Sequence, residues 1–305
     1  MTTFSPIDLS QLPSPDVVET VAFETILAER KAYIVSLYPA AEQASVAALL
    51  ELESEPLNIL AQENAYREVL LRQRVNDAAR ATMLAYATST DLDNLGALLN
   101  VERLTITPED LTAFPPVAAV MESDTRYRAR IQLALEGFST AGPVGAYTYH
   151  ALAASAAVKD VDISSATAGI VTVTVLGTEG DGTPDAALLA TVNAALNDED
   201  VRPLCDTVEI QPAEIVPYQV AATLTFYNGP DLELVRAAAE AAVRKFAAEQ
   251  HALGHDIARS GLFAALHQAG VQNVTLTTPA EDIVIESYQA AYCTAVAVLS
   301  GGVGV

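Results

Sequence analysis

Four histidines, His150, His251, His255 and His267, are the residues best suited to bind a metal or move a proton near neutral pH. His251 and His255 stand four apart, which would bring two imidazoles to one metal on a continuous helix. Gly254 lies between them and is expected to end that helix, and no HExxH arrangement is present. Two ligands alone rarely define a site. The plainer reading is a solvated helix end, where histidine suits the helix dipole.

Glu179, Asp181 and Asp185 surround a Gly-rich turn and invite a calcium reading. The EF-hand spacing is missing, and a strand-to-helix connection explains the turn. Asp91 and Asp93 fall in the first turn of an expected helix, where carboxylates are favoured. No GxSxG, P-loop or GxGxxG occurs, and the terminal GGVGV has no following helix with which to cradle phosphate. Arg126, Arg128 and Arg130 are the densest basic cluster; on a helix they are expected to fan over different faces and to form salt bridges rather than one anion site. These residues name no catalytic group, no cofactor site and no metal site. A hydrolase with a site assembled from scattered carboxylates stays open as the alternative.

Composition narrows the classes further. The chain has 305 residues, 39 acidic and 16 basic, for a net charge of −23. Nucleic acid binding needs clustered Lys and Arg, and an anionic membrane surface needs the same, so neither partner is expected. No stretch is long and apolar enough for membrane insertion. The N-terminus lacks a basic region followed by an apolar run, so no secretory signal is expected. Cys205 and Cys293 give neither a disulfide framework nor metal spacing. Folding in a reducing cytoplasm fits both cysteines.

The elements that would position these groups fall into three regions. The first, about 14 to 105, reads as helical. Ser14 and Pro15 open a helix carrying Val17, Val21, Leu27, Ile34 and Leu37 until Pro39. A short helix follows near 42 to 53. Ser54 and Pro56 start a longer one towards Thr88, with Leu57, Leu60, Val69 and Leu84 on its apolar side. Glu63–Arg67 and Glu68–Arg72 lace its exposed side. A helix over 91 to 99, capped by Ser89 or Thr90, stops at Asn100 in a left-handed conformation.

The second region mixes helices at 124–136 and 146–156 with strands around Val161–Ile163, GIVTVTVL and TVEIQ. It also holds a helix capped by Thr183. The third has a strand from Tyr218 to Phe226, a helix after Pro230 running to Gln250, and a helix capped by Ser260. Strands at 271–278 and 291–299 complete it. The fold class is therefore α+β, an N-terminal helical region followed by two mixed α/β domains, divided at 1–110, 111–215 and 216–305. The segments from Val158 to Ile163 and from Val271 to Leu276 echo each other, each following an Ala-rich helix. Duplication and a common α-to-β connection explain the echo equally.

The order of several motifs resembles the baseplate J-like family. From Ala65 to Leu104 the matching features are Arg67, Arg74, Asn76, Ala78, Ala79, Asp91, Asp93, Leu95, Val101 and Arg103. Further on come Asp124, Arg128, Ser139, Thr140, Gly142, and the segment from Val201 through Pro203 to Asp206. Gly270, Val271, Val274, Pro279, Asp282 and Cys293 complete the set. Asn100 stands where the family more often has Gly.

The resemblance implies a structural wedge subunit of a contractile tail, in a bacteriophage, tailocin or related injection system, and not an enzyme. It implies pairing with other copies of itself, as in a homodimer, and assembly with smaller wedge subunits. Six wedges would close a ring around the central hub and spike, coupling indirectly to sheath-initiating proteins and to tail fibre proteins. The particle would assemble in the bacterial cytoplasm and carry this protein in its baseplate, as a virion component. The residues expected to meet partners are Leu57, Leu60, Val69 and Leu84 on the helical region and Val296 and Val298 on the last strand.

Overall fold

A computed structural model of the chain describes residues 7–9, 12–13, 21–229 and 231–304. The helix start expected at Ser14 and Pro15, with Val17, and the break at Pro230 lie outside the described residues. The chain divides into two compact units, one ending at Glu102 and the other beginning at Arg103. Among the described residues no helix is long and apolar enough to cross a membrane.

The first unit is helical: α1 (Phe23–Ser36), α2 (Gln43–Leu50), α3 (Pro56–Ala81) and α4 (Ser89–Ala97). Its core joins α1 to α3 through Ile26, Leu27, Ala61 and Ala65, ringed by Val21, Phe23, Ile34 and Val69. The two alanines let the helix axes approach closely. Glu68 on α3 takes both Arg30 from α1 and Arg72 from its own helix. The α3 helix stops at Ala81 rather than near Thr88. Thr82 turns its hydroxyl back onto the Ala79 carbonyl at 2.8 Å, a bond that competes with helix continuation. Leu84 therefore lies in the turn after the helix, not on its apolar stripe.

The end of α4 follows its sequence closely. Asn100 has φ 57°. Val101 N–H donates to Gly96 O at 3.0 Å and Asn100 N–H to Ala97 O at 3.2 Å, the paired bonds of a Schellman stop.

The second unit opens with a short ribbon that the sequence reading missed, β1 (Thr105–Thr107) paired antiparallel with β2 (Val120–Met121). Strands this short carry no periodicity to detect. Next come α5 (Asp124–Gly137) and α6 (Val144–Ala154), then β3 (Val158–Ser164), β4 (Ile170–Gly177), α7 (Ala186–Leu196) and β5 (Thr207–Pro212). The sheet order is β3-β4-β5, with β4 antiparallel to β3 and parallel to β5. Val158, Val173, Val175, Val192 and Leu196 form its core with Tyr147 and Ala151. Asp185, not Thr183, caps α7, accepting from Leu188 N–H at 2.7 Å. Thr183 is instead drawn into the preceding turn by Asp181.

The last part holds β6 (Glu214–Phe226), α8 (Leu232–Gln250), α9 (Arg259–Leu266), β7 (Val271–Thr278) and β8 (Gln289–Val303). The sheet order is β7-β6-β8. Tyr218, Val220, Ala222, Leu224 and Phe226 alternate inward to meet Val235, Ala239 and Val243 of α8 and Leu262 and Leu266 of α9. Ser260 falls inside α9, whose N-cap is Ala258. The first N–H, from Arg259, is taken by the distant Asp282 carboxylate at 2.7 Å.

The two echoing segments form β3 and β7, each the antiparallel edge of a three-stranded sheet whose central strand also pairs in parallel. The central strand follows its echo segment in the first sheet and precedes it in the second.

Candidate interface surfaces and polar clusters

The densest polar cluster sits where the ribbon enters α5. Glu122 directly follows β2, and its side chain is fully buried. It accepts from Arg126 Nη1 at 2.7 Å, Arg130 Nε at 2.9 Å and Leu104 N–H at 3.1 Å. Arg126 and Arg130 are four apart and share one helix face, so they converge on one carboxylate instead of fanning apart. Burial alone would push the Glu122 carboxyl up. Hydrogen bonds from Arg130 and Leu104, with the charges of Arg130 and Arg126, more than offset this and hold it below the ordinary range.

Arg126 also donates from Nη2 to the carbonyls of Leu152, Ser155 and Val158 at 2.9 to 3.0 Å, tying α5 to the end of α6 and the start of β3. Arg103 pairs with Asp124 at 2.8 Å and lies over the Tyr127 ring. The charges face one another and nearby carbonyls, so the cluster ties the end of the ribbon, α5, α6 and β3 together.

A second cluster joins the two sheets of this unit. Asp160 on β3 accepts from Leu253 N–H at 3.0 Å, and Asp162 accepts from the Ser287 hydroxyl at 3.0 Å. Leu176, Ala213, Leu253 and Ala290 pack beside them. Burial raises the Asp160 carboxyl above its ordinary range, against the Leu253 and Val161 amides and the His255 charge. His251 donates from Nδ1–H to Ala291 O at 2.7 Å, and burial lowers its basicity. The helix α8 ends at Gln250, so His251 and His255 share no helix face.

In the acidic turn, Asp181 accepts from Thr183 N–H and Asp185 caps α7. Among the described residues no three His, Cys, Asp or Glu side chains are grouped to hold a metal ion.

The outward face of α3 is the strongest exposed feature. Ile59, Leu60, Tyr66, Leu70, Leu71 and Val75 are each 47 to 65% exposed. Leu60 thus lies in the open, whereas Leu57 is half-buried. Val69 is half-buried against the α1–α3 core, and Leu84 is half-buried beyond the helix. Val298 is 4% exposed and belongs to the core of its own sheet, with Val296 packed beside it. The large apolar side chains exposed on that strand are Leu299, 63%, and Val303, 50%. Sequence patterning named mainly the inner stripe of this helix. The outer stripe is apolar too, and only packing distinguishes them.

Comparison with known proteins decides the family. The baseplate J-like N-terminal domain matches residues 53–110, the central domain 139–212 and the C-terminal domain 218–299. Baseplate protein J of Escherichia phage P2 is 55% identical over 296 residues, covering 97% of this chain and 98% of that protein. The chain belongs to the baseplate J-like family.

Several of the residues that carried the resemblance now have physical roles. Gly142, at φ 72°, lies against Pro203 and Asp206, where a Cβ would come within 2.8 Å of Pro203 Cγ. The Tyr147 hydroxyl donates to Asp206 at 2.8 Å. Two baseplate J-like segments distant in sequence are therefore one packing contact. Asp282 holds the start of α9, and Arg103 and Asp124 form an ion pair.

Proposed function

We propose that the protein is a non-catalytic structural subunit of the baseplate wedge of a contractile tail. In this reading the regions 1–110, 111–215 and 216–305 are its domains. It assembles with other copies of itself and with smaller wedge subunits into a ring around the hub and spike, and it couples ring rearrangement to the sheath and tail fibres. Assembly takes place in the bacterial cytoplasm, and the protein ends in the baseplate of a phage virion or tailocin. The observation that carries this reading is the likeness to the phage P2 baseplate protein along nearly the whole chain.

The outer face of α3 supports a docking role for the helical region. Six large apolar side chains about half or more in water are a poor surface for a free monomer and a good one for a partner helix. The most buried carboxylates, Glu122 and Asp160, are each engaged by arginines or backbone N–H groups, so neither favours the hydrolase alternative.

The test is co-expression of the tagged chain with the other baseplate proteins encoded beside it. Stoichiometric capture of a smaller baseplate protein is expected. Removing the chain after Ala213, just before β6, should leave that capture intact and stop ring closure. Rings formed by the truncated chain, or peptidoglycan cleavage by the full chain, would count against the proposal.

A further inference from the structure

The last strand, β8, has β6 on one side. Its first residues are covered on the other side, since Leu253 bridges Ala290 and Gly254 N–H donates to Gln289 O. From Thr294 to Val303, no backbone bond reaches outside the sheet among the described residues, apart from one arginine contact.

The direction of the free groups follows from the register. Phe226 stands opposite Val303 and accepts from Gly304 N–H at 2.9 Å, so even-numbered residues of β6 turn their backbone groups towards β8. Their opposite numbers Val296, Val298 and Ser300 then point their own N–H and C=O groups away, as a parallel ladder requires. The arginine contact agrees: Arg236 Nη1 reaches Val298 O at 3.3 Å from α8, outside the ladder.

Natural edge strands are defended by lysine, proline, bulges or inward charges. Residues 289–305 contain no charged residue and no proline, in a chain with a net charge of −23. The bare sheet face beside the edge, with Thr223, Thr225, Thr275, Ala297 and Leu299, is uncharged as well. Among the described residues Arg236 is the one charged guard, shared with Glu233 and Glu240, and the register shifts beside Cys293 and beyond Ser300 leave the regular stretch between them open.

Free backbone groups take another strand. Two strongly acidic copies repel wherever their charged surfaces meet, and this edge brings no charged residue of its own strand to the contact. The open groups also repeat every second residue. An antiparallel two-fold sets Val296 against Ser300 of the second copy and Val298 against its own counterpart, so every open position is used.

We propose that β8 pairs edge to edge with β8 of a second copy, joining the two C-terminal sheets into one. Arg236 releases Val298 O and keeps its two glutamates. This rests on the self-association proposed above and names the strand that carries it.

The test uses the full-length chain and sedimentation over a concentration series. Ser300→Pro removes an outward N–H while leaving the β6 ladder whole, a place where edge strands tolerate proline. Ser300→Ala is the control. Wild type and Ser300→Ala are expected to form a reversible two-copy species, and Ser300→Pro to raise its dissociation constant about tenfold or more, because the two-fold doubles the loss. Amide exchange at Val296, Val298 and Ser300 should slow as wild type associates. Wild type that stays single at every concentration overturns this inference together with the self-association it rests on. A folded Ser300→Pro that pairs as wild type does overturns the edge assignment alone. If Ser300→Pro unfolds, unprotected amides in the associated wild type overturn it instead.

Discussion

Arg130 Nη2 lies 2.6 Å from Glu122 Oε2, with the two side chains 3% and 0% exposed. A pair this buried costs little while whole and much when halved, because the remaining charge has no water to turn to. Glu122→Ala leaves Arg126 and Arg130 without their shared carboxylate and should lower unfolding free energy by about 3–5 kcal/mol. Urea denaturation of the single variants and of a Glu122→Leu/Arg130→Met double variant checks this. The double variant should recover much of the loss.

The same carboxylate sets a pH dependence. Its folded-state pKa lies below the ordinary value of 4.5, so its contribution is present above that value in full. It is lost as pH falls from there through the lower folded value. Glu122→Gln should therefore flatten the acid limb of stability, measured as denaturation midpoint against pH. Asp160 works in the opposite sense: its raised pKa means that ionising it, as pH rises above the ordinary 3.8, removes stability. Stability lost in equal measure by wild type and Glu122→Gln on acidification would refute the assignment.

On α3, Leu60→Asp and Leu71→Asp should abolish capture of a smaller baseplate protein while leaving the chain folded, since both side chains are more than half exposed. Burying the introduced carboxylate at an interface costs several kcal/mol, on the order of the transfer penalty. Arg72→Ala should weaken capture far less. Val69→Asp should unfold the helical unit instead, because Val69 packs against the α1–α3 core. Circular dichroism alongside a pull-down separates the two outcomes.

Gly182 has φ 90°, and a Cβ there would stand 2.6 Å from Leu176 Cδ1 and 2.9 Å from His251 Nε2. Gly182→Ala is thus strained twice, by backbone conformation and by contact across the junction of the two sheets. A loss of about 1–3 kcal/mol is expected. Gly180→Ala, also at positive φ but facing open space, should cost less. Thermal melts of both variants make the comparison.

The sequence by itself determined the elements whose signals are local. Asn100 as a helix stop, Pro56 at the start of α3, and the alternation of Tyr218 to Phe226 each follow from the conformational preference of a few neighbouring residues. The order of motifs was enough to place the family. What the sequence left undecided depends on groups far apart in the chain. Thr82 ends α3 through a side-chain bond that a run of helix formers conceals. Asp282 starts α9 from 23 residues away, where Ser260 had looked like the cap. Val298 and Leu299 are adjacent and equally apolar, yet one is core and the other surface, because the pleat gives them opposite faces and only tertiary packing says which face α8 covers. Arg126 and Arg130 likewise needed Glu122 delivered by a ribbon too short to have a pattern before their common face had a meaning.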